Sequence, residues 1–266
     1  MSAEEQLERG DLEAALALLE EEVRGHPQVA RHRVFLFQLL CVLGDWERAV
    51  RQLKIAAELD PEAIAMAQTY REAIVCEVYR EKVFLGEKEP LVFGEPQAWL
   101  ARLVQALKLT VQGETAQAAE LRAQAFDLAL TQAGQLNGDK FNWIADADMR
   151  LGPVLEIVVN GKYFWMPFGA IEQLTADEPE DLRDHVWMPV NVTLNNGGEI
   201  VGLVPTRYPV VAVSEVQSLN LARRTEWSDI GDDTFVGRGQ RILATNTAEV
   251  AVLDVRDLTI GGAEYG

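Results

Sequence analysis

Several residue types that enzymes and metal proteins depend on are scarce in this chain. Only two cysteines and three histidines occur among its 266 residues. No histidine pair has the spacing of metal ligands, and the sequence contains neither a glycine-rich phosphate loop nor a Gly-x-Ser-x-Gly elbow. Cys41 and Cys76 lie in apolar helical segments, where cysteine is usually a small buried side chain. We therefore expect no catalytic residue, no metal site and no cofactor.

Basic residues are also scarce relative to acidic ones. The chain has 24 Lys and Arg against 42 Asp and Glu, a net charge of −18. Nucleic-acid binding needs clustered cations, and an anionic membrane surface would repel such a chain. No apolar run approaches the roughly 20 residues that cross a membrane, and the acidic first residues do not resemble a signal peptide. We expect neither nucleic-acid nor membrane binding, and a cytoplasmic protein whose cysteines stay reduced.

What the sequence does contain is a 34-residue repeat in its N-terminal half. Gly10-Asp11 recurs as Gly44-Asp45, and Gly113-Glu114 begins a later, more divergent copy. Further pairs at the 34-residue offset are Glu13/Glu47, Ala15/Ala49, Leu19/Leu53 and Pro27/Pro61. A helical period of 34 is typical of tetratricopeptide repeats, in which neighbouring helical hairpins stack to bury a continuous core.

Stacked hairpins form a curved surface whose inner side commonly binds a peptide or a helix. In such repeats the first helix of each hairpin faces that side. The corresponding positions form a predicted partner-binding surface, although packing between helices would explain them equally well. They are Arg31, Val34, Gln38 and Cys41 in one repeat, and Ala65, Gln68, Glu72 and Val75 in the next.

The pattern changes after the polar stretch 134–140 to short apolar and β-branched runs, which are typical of strands. Residues 154–159 and 162–168 predict a hairpin joined by Asn160-Gly161. Short helices are expected within 169–183 and 213–224. The sequence therefore predicts an α+β protein, with tetratricopeptide-like helical hairpins over 1–137 and a small, mainly β domain with short helices over 138–266.

Asp146 and Asp148 are the one carboxylate pair with catalytic potential. In an extended segment their side chains would point the same way, and two carboxylates could share a divalent cation. The neighbouring residues supply no third oxygen ligand, so pairing with Arg150 or capping of a turn is the competing interpretation. A metal-dependent enzyme that uses this pair is the alternative function, together with a purely structural scaffold.

The segment 141–156 (FNWIADADMRLGPVLE) resembles the hallmark of the ImpE/SciE family, also called TagJ. Segments 187–190 and 202–209 extend the resemblance over the C-terminal half, and the family also begins with a tetratricopeptide-like half. Val210 departs from the glycine that the family often has there. The motif residues that carry the resemblance are Asp146, Asp148, Arg150, Arg207 and Tyr208.

The resemblance implies a non-catalytic adaptor of bacterial type VI secretion. Its expected partners are the N-terminal helix of the small contractile-sheath subunit and the AAA+ ATPase that disassembles contracted sheaths. An amphipathic helix would dock in an apolar groove, and aromatic side chains often anchor such contacts. Trp143, Trp165 and Trp187 are therefore added to the candidate partner-binding residues, although each would serve equally well in the core.

Overall fold

The computed structural model describes residues 2–209 and 217–261, and its first half is a series of helices whose boundaries follow from local signals. Gly10, Gly44 and Gly113 follow helix ends with φ of 80°, 72° and 83°, where glycine has no Cβ to clash. Asp11 and Asp45 then cap the next helices by accepting backbone N–H bonds. The helices are α1 (Ala3–Arg9), α2 (Leu12–Gly25), α3 (Ala30–Val42), α4 (Trp46–Leu59), α5 (Ile64–Phe84), α6 (Ala98–Val111) and α7 (Thr115–Leu128).

Helix α5 explains why the sequence has no recognisable copy of the 34-residue repeat between the copies that begin at Gly44 and Gly113. A 3₁₀ turn over Pro61–Ala63 leads into α5, which continues for 21 residues. It passes through Val78, the position where Gly44 would recur 34 residues later. The chain forms no second helix there, but crosses to the sheet as the short strand β1 (Leu91–Val92).

The second half is mainly β, as expected, and consists largely of antiparallel hairpins. Nine strands form one sheet in the order β1-β6-β5-β9-β8-β7-β14-β2-β3, with β1 parallel to β6. Smaller sheets pair β10 with β11, and β12 with both β13 and β4. The strands are β2 (Gly134–Leu136), β3 (Asp139–Phe141), β4 (Ile144–Asp146), β5 (Val154–Val159), β6 (Lys162–Pro167), β7 (Ile171–Thr175), β8 (Trp187–Leu194), β9 (Glu199–Pro205), β10 (Thr225–Asp229), β11 (Phe235–Gly239), β12 (Ile242–Thr245), β13 (Glu249–Ala251) and β14 (Asp257–Ile260).

The predicted β5–β6 hairpin is confirmed. All six residues of β5 pair in register with β6, from Val154 opposite Pro167 to Val159 opposite Lys162. Asn160 and Gly161 both have positive φ, 49° and 67°. This is the backbone that a tight two-residue turn between twisted strands requires.

The helix predicted within 169–183 is wrong, because strand β7 occupies 171–175. Ile171 and Leu174 are both buried although they are three residues apart, a spacing that suggests a helix. A register shift between Ile171 and Gln173 places both on one face of the strand. In the 213–224 prediction, α8 (Gln217–Asn220) is helical, whereas 213–216 and Val210 lie outside the described residues.

The change from helix to sheet occurs over residues 129–133. The polar stretch after it is a β2–β3 hairpin, whose turn residues Asn137 and Gly138 have φ of 50° and 90°. Strand β2 pairs with β14 near the end of the chain. The boundary predicted between 137 and 138 therefore falls in the turn of a hairpin that belongs to the large sheet.

Both halves contribute to shared apolar cores. One core combines helices α1 to α5 with Val186, Trp187 and Leu221. A second joins α5, α6 and α7 to strands β5 and β6 through Trp99, Tyr163 and Trp165 among others. A third lies entirely on the other face of the large sheet and its neighbours, apart from Phe93 at its margin. The helices therefore pack on one face of the sheet.

Candidate functional site

Two of the four predicted partner-binding positions on α3 lie in the interior. Gln38 and Cys41 are buried, at 7% and 0% exposure, and Trp187 and Leu221 belong to the same core as α3. Val34 is half-buried, and Arg31 is exposed. Gln38 and Cys41 are thus corrected to interior residues, because the surface expected to hold a foreign helix already packs against the chain itself.

The positions predicted on α5 lie differently. Ala65 and Gln68 are exposed, Val75 is 62% exposed, and Glu72 is half-buried with its carboxylate against Gly161 in the β5–β6 turn. Residues 64, 68, 71, 75, 78 and 82 follow one another at intervals of three or four and are all exposed. Such spacing aligns side chains along one face of a helix. We name this row Ile64, Gln68, Arg71, Val75, Val78 and Lys82 the α5 stripe.

A groove between α4 and α5 runs beside the N-terminal part of the stripe. It encloses about 410 Å³ and is lined mainly by apolar side chains and the stems of long polar ones. Ile64, Gln68 and Arg71 of the stripe form one of its walls. The other lining residues are Val50, Leu53, Lys54, Ala57, Glu58 and Ala67.

The three candidate tryptophans separate clearly. Trp165 and Trp187 have 0% exposure, and each indole N–H is satisfied, by the hydroxyl of Tyr163 and the carboxylate of Glu77 respectively. These two are core residues and offer no surface to a partner, which corrects the prediction. Trp143 is 40% exposed and lines a cavity of about 400 Å³ where α7 meets the β half.

The Asp146–Asp148 pair is held by arginines. Asp146 Oδ2 accepts bonds from Nε and Nη2 of Arg241 at 2.9 and 2.6 Å. Asp148 accepts from Nε and Nη2 of Arg150 at 2.9 and 2.6 Å, and from the backbone N–H of Gly237 at 2.8 Å. The predicted pairing of Asp148 with Arg150 is confirmed. Burial raises the pKa of Asp146 to about 6, and Arg241 opposes that rise.

Arg207 connects the two halves of the protein, and Tyr208 makes a hydrogen bond within the second half. Arg207 donates to the backbone oxygens of Val42, Cys41 and Asn220 at 2.7, 3.1 and 2.8 Å. The first two lie at the C-terminus of α3, where a cation complements the helix dipole. The hydroxyl of Tyr208 accepts the backbone N–H of Ile242 at 3.1 Å. These motif residues therefore orient backbone segments.

A buried ionic network lies between these motifs, and the sequence analysis missed it. Arg80 on α5 and Arg241 before β12 both face Glu156 on β5, and the hydroxyl of Tyr163 donates to the same carboxylate. Burial alone would raise the pKa of Glu156, but Arg80 and Arg241 outweigh it and lower that pKa to about 2. The available signal was a lone Glu in an otherwise apolar strand, which needs a cationic partner.

Within residues 2–209 and 217–261, no group of three or more His, Cys, Asp or Glu side chains is arranged to hold a metal ion. The same residues include no helix long and apolar enough to span a membrane. The groups of the network instead satisfy one another. The α5 stripe and its groove are open to a ligand.

Comparison with known proteins agrees with the motifs. A family model described as "ImpE protein" matches residues 138–259. The type VI secretion system accessory component TagJ of Pseudomonas aeruginosa is 46% identical over 258 residues, which is 97% of this chain and 90% of that protein. The chain belongs to the ImpE family. The crystal structure of protein VPA1032 from Vibrio parahaemolyticus, 29% identical, superposes with a TM-score of 0.89 over 97% of both chains.

Membership of the ImpE family gives the geometry a context. The segments that resemble the family hallmark are those that build the Asp146–Arg241 and Asp148–Arg150 pairs and the Arg207 clamp on α3. In this structure these residues hold segments of the β half together, and Arg207 joins it to α3. The α5 stripe lies outside the matched segment 138–259.

Proposed function

We propose that this ImpE protein is a non-catalytic accessory protein of type VI secretion. It binds an amphipathic helix of the small sheath subunit along α5 and helps recruit the AAA+ ATPase that disassembles contracted sheaths, in the cytoplasm. Its similarity to the P. aeruginosa accessory component supports the pathway. The α5 stripe is the observation that supports helix binding.

The dimensions of the stripe suit a helix. From Ile64 to Lys82 it covers 18 residue steps, or about 27 Å at about 1.5 Å per residue. Ile64 is 52% exposed and Val75 62% exposed, and Val78 follows one turn later. A partner helix of four to five turns could lay its apolar face along this row and fill the adjoining groove, as in other helix-in-groove complexes.

The hydrogen bonds that the Asp146 and Asp148 carboxylates already accept support a non-catalytic role. Asp146 and Asp148 already accept bonds from Arg241, Arg150 and backbone N–H groups. A general base or metal ligand needs a lone pair directed at a substrate or ion. The motif instead uses its carboxylates to hold arginines in place.

The test is calorimetric titration of the full chain with a peptide of the small sheath subunit's N-terminal helix. We expect a dissociation constant below about 100 μM. Val75→Asp, which places a charge where an apolar contact would form, should weaken binding at least about tenfold without changing stability. Leu128→Asp is the matched control, because Leu128 is also half-exposed, at 52%, but lies at the end of α7.

Two results would overturn the proposal. One is no measurable heat with the peptide at about 100 μM. The other is equal loss of affinity in Val75→Asp and Leu128→Asp. Recruitment of the ATPase is checked separately, by pull-down of the purified ATPase with the full chain with and without the sheath subunit. Absence of the ATPase from both samples would remove that part of the function.

A further inference from the structure

The exposed side chains of α5 have an unusual charge for this protein. The chain carries 42 acidic residues and a net charge of −18, yet no acidic residue is fully exposed on α5. Two cations are. The exposed residues of the helix are Ile64, Ala65, Gln68, Thr69, Arg71, Val75, Val78 and Lys82.

Arg71 and Lys82 are also unengaged. Within the described parts of the chain, neither side chain makes a hydrogen bond or an ion pair. The exposed cations of α4 behave differently, since Arg51 pairs with Glu47, and Lys54 with Glu58. The α5 stripe therefore presents two cations that have no partner among residues 2–209 and 217–261.

The neighbouring acids of α5 are directed away from the stripe. Glu72 is half-buried, with its carboxylate against Gly161. Glu77 is buried and accepts the indole N–H of Trp187, and Glu81 accepts that of Trp46 at 2.9 Å. Trp187 and Trp46 hold the carboxylates of Glu77 and Glu81, and that of Glu72 lies against the β5–β6 turn, so these acids do not neutralise the face that Arg71 and Lys82 share.

The two cations have a defined spacing. They are eleven residues apart, about three turns or roughly 16 Å along the axis, and Val75 and Val78 lie between them. We infer that α5 selects an acidic amphipathic helix, with two carboxylates about three turns apart beside its apolar face. This inference rests on the proposed helix-binding function and names the chemistry of the partner.

The net charge of −18 does not oppose such a partner at close range. Charges separated by more than about 8 Å are largely screened at physiological ionic strength. A carboxylate at the stripe would lie within ion-pair distance of Arg71 or Lys82, so its attraction to them would escape most of this screening. Local charge complementarity then chooses between helices of similar apolar character.

Three designed 22-residue peptides test this selection. They share one apolar helical face, and a pair of flanking positions eleven residues apart carries Glu, Gln or Lys. For the wild-type full chain at about 150 mM salt, we expect the Glu peptide to bind about fivefold more tightly than the Gln peptide, and the Lys peptide to bind most weakly. The advantage of the Glu peptide should shrink at about 1 M salt.

Charge reversal provides the second arm. The double variant Arg71→Glu/Lys82→Glu should prefer the Lys peptide to the Glu peptide. Lys140→Glu is the matched control. Lys140 is exposed on β3, which lies at the opposite edge of the large sheet from β1, the strand that follows α5. The Lys140→Glu variant should keep the wild-type preference for the Glu peptide. Circular dichroism and the unfolding midpoint check that both variants are folded.

The outcomes separate this inference from the proposed function. If the sheath peptide binds but the designed peptides bind equally, or fail to bind, charge selection by Arg71 and Lys82 is wrong and helix binding stands. An unchanged preference in the double-reversal variant also overturns the selection. If the sheath peptide itself does not bind, the proposed function fails regardless of the designed peptides.

Discussion

Arg80 on α5 donates from Nε and Nη2 to the two carboxylate oxygens of Glu156 on β5, each at 2.7 Å. Both side chains are almost fully buried, at 4% and 0% exposure. Two-point pairing of this kind fixes the orientation as well as the distance of the groups. The helix that carries the α5 stripe is thereby locked to the large sheet, 76 residues further along the chain.

Replacing Glu156 with Gln should destabilise the protein by about 3–5 kcal/mol, because it removes the buried carboxylate that Arg80 and Arg241 share and leaves Glu77, at 3.3 Å, as the acidic partner of Arg80. The measurement is urea unfolding followed by circular dichroism. Glu249→Gln is the control, since Glu249 is exposed on β13, and it should change stability by less than about 0.5 kcal/mol. Equal stability of both variants would show that the pair contributes nothing.

The same carboxylate predicts a pH dependence. Its pKa is lowered in the folded protein from an ordinary 4.5 to about 2, so its contribution is complete above about pH 4.5 and is lost as the pH falls towards 2. The stability gap between wild type and Glu156→Gln should therefore narrow by about 2 kcal/mol between pH 6 and pH 3. Urea titrations of both proteins at several pH values measure this gap, and a constant gap would contradict the pairing.

Arg207→Lys should destabilise the protein by about 1–3 kcal/mol although it conserves the charge. A lysine ammonium lacks the planar fork that lets Arg207 reach the oxygens of Val42, Cys41 and Asn220 together. Arg31→Lys, at an exposed position of α3, is the control and should be close to neutral. Differential scanning calorimetry compares Arg207→Lys with Arg31→Lys. Identical melting temperatures would show that the hydrogen bonds of Arg207 to the three backbone oxygens do not stabilise the protein.

Gly237→Ala should destabilise the protein by about 1–3 kcal/mol through overpacking. A Cβ there would lie 2.2 Å from the ring of Tyr208, and the Gly237 backbone N–H donates to Asp148. Gly25→Ala, where a Cβ would meet nothing within 4 Å, should be neutral or slightly stabilising. Thermal unfolding of both variants decides, and a neutral Gly237→Ala would show that Tyr208 can move aside.

Divalent cations should not stabilise the protein through the Asp146–Asp148 pair. Arg241 and Arg150 occupy the carboxylates, and a ligand raises the melting temperature only if it binds the folded state. We expect Mg²⁺, Ca²⁺, Mn²⁺ and Zn²⁺ at about 1 mM to shift the midpoint by less than about 1 °C. A larger rise that disappears in Asp148→Asn would favour the metal-dependent alternative.

Local signals predicted the elements that depend on local chemistry. Gly10-Asp11 and Gly44-Asp45 each end one helix and cap the next, because glycine tolerates positive φ and aspartate accepts backbone N–H bonds. Asn160-Gly161 similarly produced the predicted hairpin. The α+β fold and the membership of the ImpE family agree with the predictions made from the sequence. The pairing of Asp148 with Arg150, which lie two residues apart, was also predictable from the sequence.

Interactions between distant residues were beyond sequence reasoning. Glu156 stands out as a charge in an apolar strand, but nothing in the sequence indicates that its partners are Arg80 and Arg241. The β-bulge that hides Ile171 and Leu174 on one face likewise depends on pairing with β8. Trp187 was placed among partner-binding residues because an anchor and a core residue look alike in sequence.

The packing of Trp187 and Leu221 into one core with helices α1 to α5 has a practical consequence. Expressed alone, residues 1–137 would expose the apolar surface that Trp187 and Leu221 now cover, and would present it to chaperones and proteases. The helical half is therefore a poor candidate for a minimal binding module. The two halves should melt in a single transition, and exchange of helical repeats between relatives should succeed only when the docking residues are exchanged with them.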